Sequence, residues 1–202
     1  MVPEISAFLR LNFKTLRIAA FFPLLQQGFH IPIPGSCSIR ELLCDICGLS
    51  AEQVTTRIQT IFLNGMPVDN LETAVVGDGD TLALSAAMPG LVGATMRSGG
   101  VLACFRNTIS HQGHTAEIPT AGILSIKLFN LLIKEFGPLF LCQGVLVSAE
   151  TIKNMLALLT VEDLQACTGA TLDQRVMDPA RLSALNLPGG EEMVHLRVDF
   201  QL

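Results

Sequence analysis

The sequence predicts an α+β protein whose first half runs strand, strand, helix, strand, strand. Three observations lead there: a Ser-x-x-Glu helix start at Ser38 and Glu41, an Asn64-Gly65 turn closing a short apolar strand, and a Gly77-Asp78-Gly79-Asp80 turn entering an alternating segment.

Residues 13–22 carry Phe13, Leu16, Ile18 and two further phenylalanines and read as the first strand. Residues 29–33 read as the second, at a sheet edge, because Pro32 and Pro34 cannot donate to a ladder. The two are expected to pair as a hairpin. Ser38 with Glu41 is a capping box, which satisfies free amides at a helix start. Ile39, Leu42, Leu43, Ile46 and Cys47 then recur at helical spacing, and Gly48 terminates the run. Residues 60–63 form the third strand, ended by Asn64-Gly65. Residues 81–87 form the fourth, with Leu82 and Leu84 on one side. This is the ubiquitin-like β-grasp order, in which a mixed sheet wraps one helix. Its expected core is Ile39, Leu43, Ile46, Ile61, Leu63, Leu82 and Leu84.

In the second half, residues 101–109 and 115–118 read as strands around a polar turn. Residues 121–136 read as a helix, on the spacing of Ile123, Ile126, Phe129, Ile133 and Phe136, stopped by Gly137-Pro138. Residues 139–147 read as an apolar strand that contains Cys142 as a small core residue. Short helices are expected after Ser148, after Thr160 (with Asp163 completing a capping box) and after Asp178-Pro179. Residues 193–202 alternate, with Val194, Leu196, Val198 and Phe200 opposing His195, Arg197 and Asp199; this last strand is expected at an edge. Without residues 148–187 the second half repeats the order of the first, so a divergent second β-grasp is one reading. The expected division is a β-grasp domain at 1–93, a linker or processing segment at 94–100 and an α+β domain at 101–202.

Two stretches carry a family resemblance. Ile61-Phe-Leu-Asn-Gly-Met-Pro-Val68 resembles the strand and turn of the MoaD/ThiS sulfur carriers, which serve molybdopterin and thiamine biosynthesis. Val76-Gly-Asp-Gly-Asp-Thr-Leu-Ala-Leu84 resembles their loop and last strand. The resemblance is confined to the N-terminal half. It implies a carrier whose C-terminal Gly-Gly carboxylate is adenylated by an activating enzyme, an adenylyltransferase, and converted to a sulfur-donating thiocarboxylate. Glycines suit such a tail because a chain without Cβ atoms threads a narrow channel. Here Gly90 aligns with the first tail glycine and Leu91 with the second. Gly93, Gly99 and Gly100 are the other tail candidates, and all four glycines are internal. Gly99-Gly100 reads as a processing site or as an interdomain turn.

Composition narrows the remaining classes. Half the residues are apolar, 15% are charged and the mean hydropathy is +0.49. So apolar a chain calls for complete burial or a partner surface, and a homo-oligomer is expected. The net charge is −5 and the cations are scattered, which argues against nucleic acid. The most apolar stretch, residues 123–147, is interrupted by Lys127, Lys134 and Glu135, and the first ten residues lack a basic, then apolar, leader. No membrane span and a cytoplasmic location are therefore expected.

Six cysteines occur, at 37, 44, 47, 104, 142 and 167. Cys44 and Cys47, with Cys37 nearby, suit zinc or an iron-sulfur cluster in principle; placed mid-helix, they read better as core thiols. His111 and His114 pose a similar choice between a metal site, with Cys104 or His30, and a solvated turn, the reading preferred here. No cofactor is expected. No constellation of nucleophile, base and orienter stands out, so no enzyme is expected either. The leading reading is a sulfur-carrier-like or ubiquitin-like protein. The alternatives are a noncatalytic, homo-oligomeric structural or adaptor module and a metal-binding protein.

Overall fold

The computed structural model describes residues 3–87, 90–97, 100, 121–187 and 189–201. Strand β1 (Ile5–Phe13) alternates strictly, burying Ala7, Leu9, Leu11 and Phe13. A 3₁₀ turn (Ile18–Phe21) leads into α1 (Phe22–Gln27), where Pro23 occupies the first turn and needs no amide partner. The strand expected over residues 13–22 is thus corrected. Period-two alternation ends at Phe13, and Ile18, Phe21, Leu24 and Leu25 are buried at helical spacing.

Next come β2 (Phe29–Ile33), β3 (Cys37–Ser38) and α2 (Ile39–Glu41), which runs on into a π-helical turn (Leu42–Ile46). The Ser38 capping box forms as the sequence implies: Ser38 Oγ accepts from Glu41 N, and Glu41 Oε2 accepts from Ser38 N. A second box, Ser50 with Gln53, starts α3 (Ala51–Arg57). The chain continues through β4 (Thr60–Leu63), β5 (Met66–Pro67), β6 (Val75–Val76), β7 (Thr81–Ser85) and α4 (Gly90–Met96). Asn64 and Gly65 have φ of 50° and 79°, the left-handed pair of a tight hairpin, and Leu63 pairs with Met66 around them.

The second half departs further from expectation. Residues 122–129 form a strand, β8 (Gly122–Phe129), followed by α5 (Leu131–Gln143). The helical count rested on Ile123, Ile126 and Phe129, but the fully buried set is Leu124, Ile126 and Leu128, every second residue. Gly137-Pro138 does not stop α5. A Cβ on Gly137 would lie 2.7 Å from Leu25 Cδ1, so the glycine admits close packing. That packing outweighs the hydrogen bond Pro138 cannot donate. The strand expected at 139–147 shrinks to β9 (Val145–Ser148), and Cys142 is an exposed helical residue, not a core one. Then follow α6 (Ala149–Ala157), α7 (Val161–Ala166), β10 (Cys167–Leu172), β11 (Arg175–Met177), a 3₁₀ turn (Pro179–Ala184) and β12 (Met193–Phe200). The caps at Ser148, Thr160 and Asp178 all form. The strands expected at 101–109 and 115–118 lie outside the described residues.

The α+β chain forms two compact units: Ile31–Leu132, and Pro3–His30 with Ile133–Leu202. The division differs from the expected 1–93 and 101–202, because β1 finds its partner in β12 while β7 finds its partner in β8.

In the first unit the strand row is β2-β8-β7-β4-β5, with Ile31–Ile33 of β2 at one end. Strands β7 and β8 run parallel from Thr81↔Ser125 to Ser85↔Phe129, and β4 is antiparallel to β7. Ile39, Leu43, Ile61, Leu63, Leu82 and Leu84 are buried as expected, whereas Ile46 is partly exposed.

In the second unit the row is β11-β10-β1-β12-β9, and His30 pairs with Leu146 of β9. Strands β1 and β12 run parallel, flanked by antiparallel β10 and β9. The expected edge position of the last strand is therefore corrected: β12 is bonded on both sides. Phe13, Phe21 and Phe200 form a ring cluster with centroids 5.9 to 6.0 Å apart.

One buried carboxylate fastens this unit. Asp163 accepts from Thr160 N, from Thr160 Oγ1 (2.7 Å) and from Arg17 Nε (2.6 Å). Burial alone would raise its pKa, but these donors hold it below the ordinary carboxylate value. A lowered folded pKa stabilises above the unfolded value, near 3.9, and that stabilisation fades as pH falls through the folded one. Asp163→Asn is expected to cost about 1–3 kcal/mol at neutral pH. Denaturant melts should show the gap from wild type closing below about pH 4.

Among the described residues, no helix is long and apolar enough to cross a membrane.

Candidate functional site

The turn that carries the family resemblance has a structural job. Asp80 Oδ2 accepts from Gly77 N (2.7 Å), and Asp80 Oδ1 accepts from Asn64 Nδ2 (2.7 Å). Asn64 Oδ1 in turn accepts from Thr81 N, locking the hairpin turn to the start of β7. The same loop grips β8: Ile123 N donates to Asp78 Oδ1, Gly79 N to Ile123 O, and Ser125 N to Asp80 O. Asp78 and Asp80 are thus turn formers in a bracket joining three segments.

The candidate site lies on the sheet face opposite the core of the first unit. Thr60 pairs with Ser85, Phe62 with Ala83, and Ser85 with Phe129, so these side chains share that face. Phe62, Ala83, Ser85, Phe129 and Asn130 line an open depression of about 370 Å³. Asn130, at φ 56°, donates from Nδ2 to Ser85 Oγ (2.9 Å). The Thr60 hydroxyl is buried and has no hydrogen-bond partner among the described residues. Phe129 is 37% and Leu131 60% exposed. Among the described residues no acid, base or thiol lines the depression, which offers apolar contact and one amide–hydroxyl pair. The sequence reading missed Phe129 and Asn130 by placing them inside a helix; the alternation of residues 122–129 before an asparagine was the available signal.

Two of the four tail candidates lie in a helix. Gly90, exposed and at φ 82°, opens α4, and Gly93 is buried within that helix. Gly100 N donates to Arg97 O. Gly99, His111, His114 and Cys104 lie outside the described residues.

Cys47 is buried and Cys37 and Cys44 are partly exposed. Burial foremost, with some repulsion from Cys37 and Cys44, pushes the Cys47 thiol up to about 12, so it is a poor thiolate. Among the described residues no three metal-ligating side chains converge.

A titratable cluster sits on the second unit's sheet. Asp199 accepts from Arg10 Nε (2.8 Å), and from Arg197 Nε and Cys142 Sγ at 3.4 Å each. Burial would raise the Asp199 pKa, but Arg10, Cys142 and Arg197 hold it low. His195 is pushed down by burial and by Arg197, hence neutral at pH 7. Cys142 therefore meets a carboxylate already occupied by arginines, which is a surface ion network and not a thiol–base pair.

No family model, no curated protein and no solved structure matches the chain.

Proposed function

We propose that the chain is a noncatalytic binding module on a β-grasp-type core. In this reading it acts through its sheet face and not through a glycine tail, and a second copy of the chain is one occupant of that face. The observation that carries the reading is the apolar depression at Phe62, Ala83, Ser85, Phe129 and Asn130, whose described lining holds no titratable side chain and is followed in the chain by exposed Leu131.

The β-grasp assignment draws support from the row β2-β8-β7-β4 and its parallel β7–β8 contact. Strand β8, which follows β7 in the chain, takes the position expected of a strand preceding β2. A central parallel pair recurs in the second unit as β1 and β12, in line with a divergent second copy. The helical setting of Gly90 and Gly93 favours the binding module over a thiocarboxylate donor, since a tail entering an adenylating site must be extended.

Sedimentation at micromolar concentration is expected to give a mass above 21.7 kDa, and Phe129→Asp to return the monomer. Incubation with an activating adenylyltransferase, ATP and a sulfur source is expected to leave the intact chain's mass unchanged. A monomeric wild type removes the second copy as occupant. A thiocarboxylate on the intact chain restores the carrier reading.

A further inference from the structure

We infer that the second unit carries a pocket for a small amphipathic carboxylate, a ligand of about a dozen non-hydrogen atoms with an apolar body and one anionic head. The inference is independent of the sheet-face reading. Between the turn at residues 16–22, α5 and the α6–α7 connection lies a cavity of about 400 Å³. Leu16, Ile18, Phe22 and Leu158 give it apolar walls. At roughly 30 Å³ per atom of liquid-like packing, the volume sets the ligand size stated above. Pockets of this size with mostly apolar walls and a few convergent polar groups are the usual form of a small-molecule site.

Three charged side chains line the cavity: Arg17, Lys134 and Asp163. They are not equivalent. Asp163 is 6% exposed and takes three donors, so its charge is spent on Arg17 and on the Thr160 cap. Arg17 is held in place by that bond and by Glu162 at 3.4 Å. The Lys134 side chain is exposed, and its ammonium has no hydrogen bond or ion pair with another described residue. The described lining thus carries one cation beyond what its carboxylate offsets, and the uncommitted donor is the exposed Lys134 ammonium. An anionic head there gains a charge-assisted hydrogen bond, while a cationic head meets repulsion.

The rim supplies a second observation. Leu16 is 45%, Leu158 62% and Val161 70% exposed, and Val161 follows the lining residue Thr160. Large apolar side chains left in water together around a cavity mark a surface that a ligand covers. An alkyl or aryl body covers them, with the head turned to Lys134.

The test is calorimetric titration of the full chain with decanoate below its micelle concentration, beside decylammonium and acetate. Decanoate is expected to saturate at one equivalent, decylammonium to bind at least tenfold more weakly, and acetate not to bind. Lys134→Glu is expected to weaken decanoate at least tenfold, Lys134→Gln by less, and Leu158→Ala to weaken it with Lys134 intact. A thermal melt checks that each variant is folded, and the exposure of both side chains makes folding the expected result. The inference fails if decanoate does not saturate, if decylammonium binds as well, or if Lys134→Glu leaves decanoate affinity unchanged.

Discussion

Phe13→Ala is expected to lower the unfolding free energy by about 3–5 kcal/mol. Phe13 is fully buried at the end of β1 and pairs across the parallel ladder with Phe200. Its ring stacks on Phe200 at 5.9 Å and meets Phe21 edge-on at 5.9 Å. Truncation therefore leaves a cavity and removes two aromatic contacts, each worth about 0.5–1.5 kcal/mol beyond area burial. For a chain of this size each kcal/mol moves the melting temperature by about 2–4 °C, so a fall of roughly 6–20 °C is expected. Phe13→Leu, which keeps most of the volume, should recover much of the loss. A fall below about 1 kcal/mol for the alanine variant would show that the three rings do not pack as a unit.

Leu43→Ala should cost about 2–5 kcal/mol. Leu43 is fully buried within the π-helical turn, where Cys47 N reaches back to Leu42 O (2.8 Å) and Leu49 N to Leu43 O (2.9 Å). The wider turn brings Leu42 and Leu43 into the core together, both at 0% exposure. Arg40→Ala, which removes only an exposed pair with Glu72, serves as the control and should change stability by less than about 1 kcal/mol. Denaturant melts of both variants decide the matter: equal midpoints for Leu43→Ala and wild type would mean the helix is not anchored through Leu43.

The contrast between the helix at Ser38 and the strand at Gly122 shows what the sequence made legible. Capping boxes are local, satisfied within four residues, and those at Ser38 and Thr160 could be read directly. The Asn64-Gly65 turn is equally local. Residues 121–136 were ambiguous because Ile126 fits both a two-residue and a helical count, and only the parallel pairing with β7 decides between them. The same holds for β1, whose inward face is set by β12, nearly the whole chain away. The candidate site was the least legible part. Its walls come from β4, β7 and the end of β8, and no motif marks a depression assembled from residues this far apart.

The placement of β8 also governs what a break in the backbone would do. The chain passes Gly90, Gly93 and Gly100 before it returns as β8, so a cut at any of them leaves β7 on one piece and β8 on the other. Five paired positions, Thr81 to Ser85 against Ser125 to Phe129, would still zip the pieces together, and Leu124, Ile126 and Leu128 would still be buried. Strands β1 and β12 would likewise fall on opposite pieces. A nicked molecule would behave as a split protein whose halves complement one another, eluting as one species in native buffer and parting only in denaturant. A glycine carboxylate exposed by such a nick would be tethered to its own leaving half.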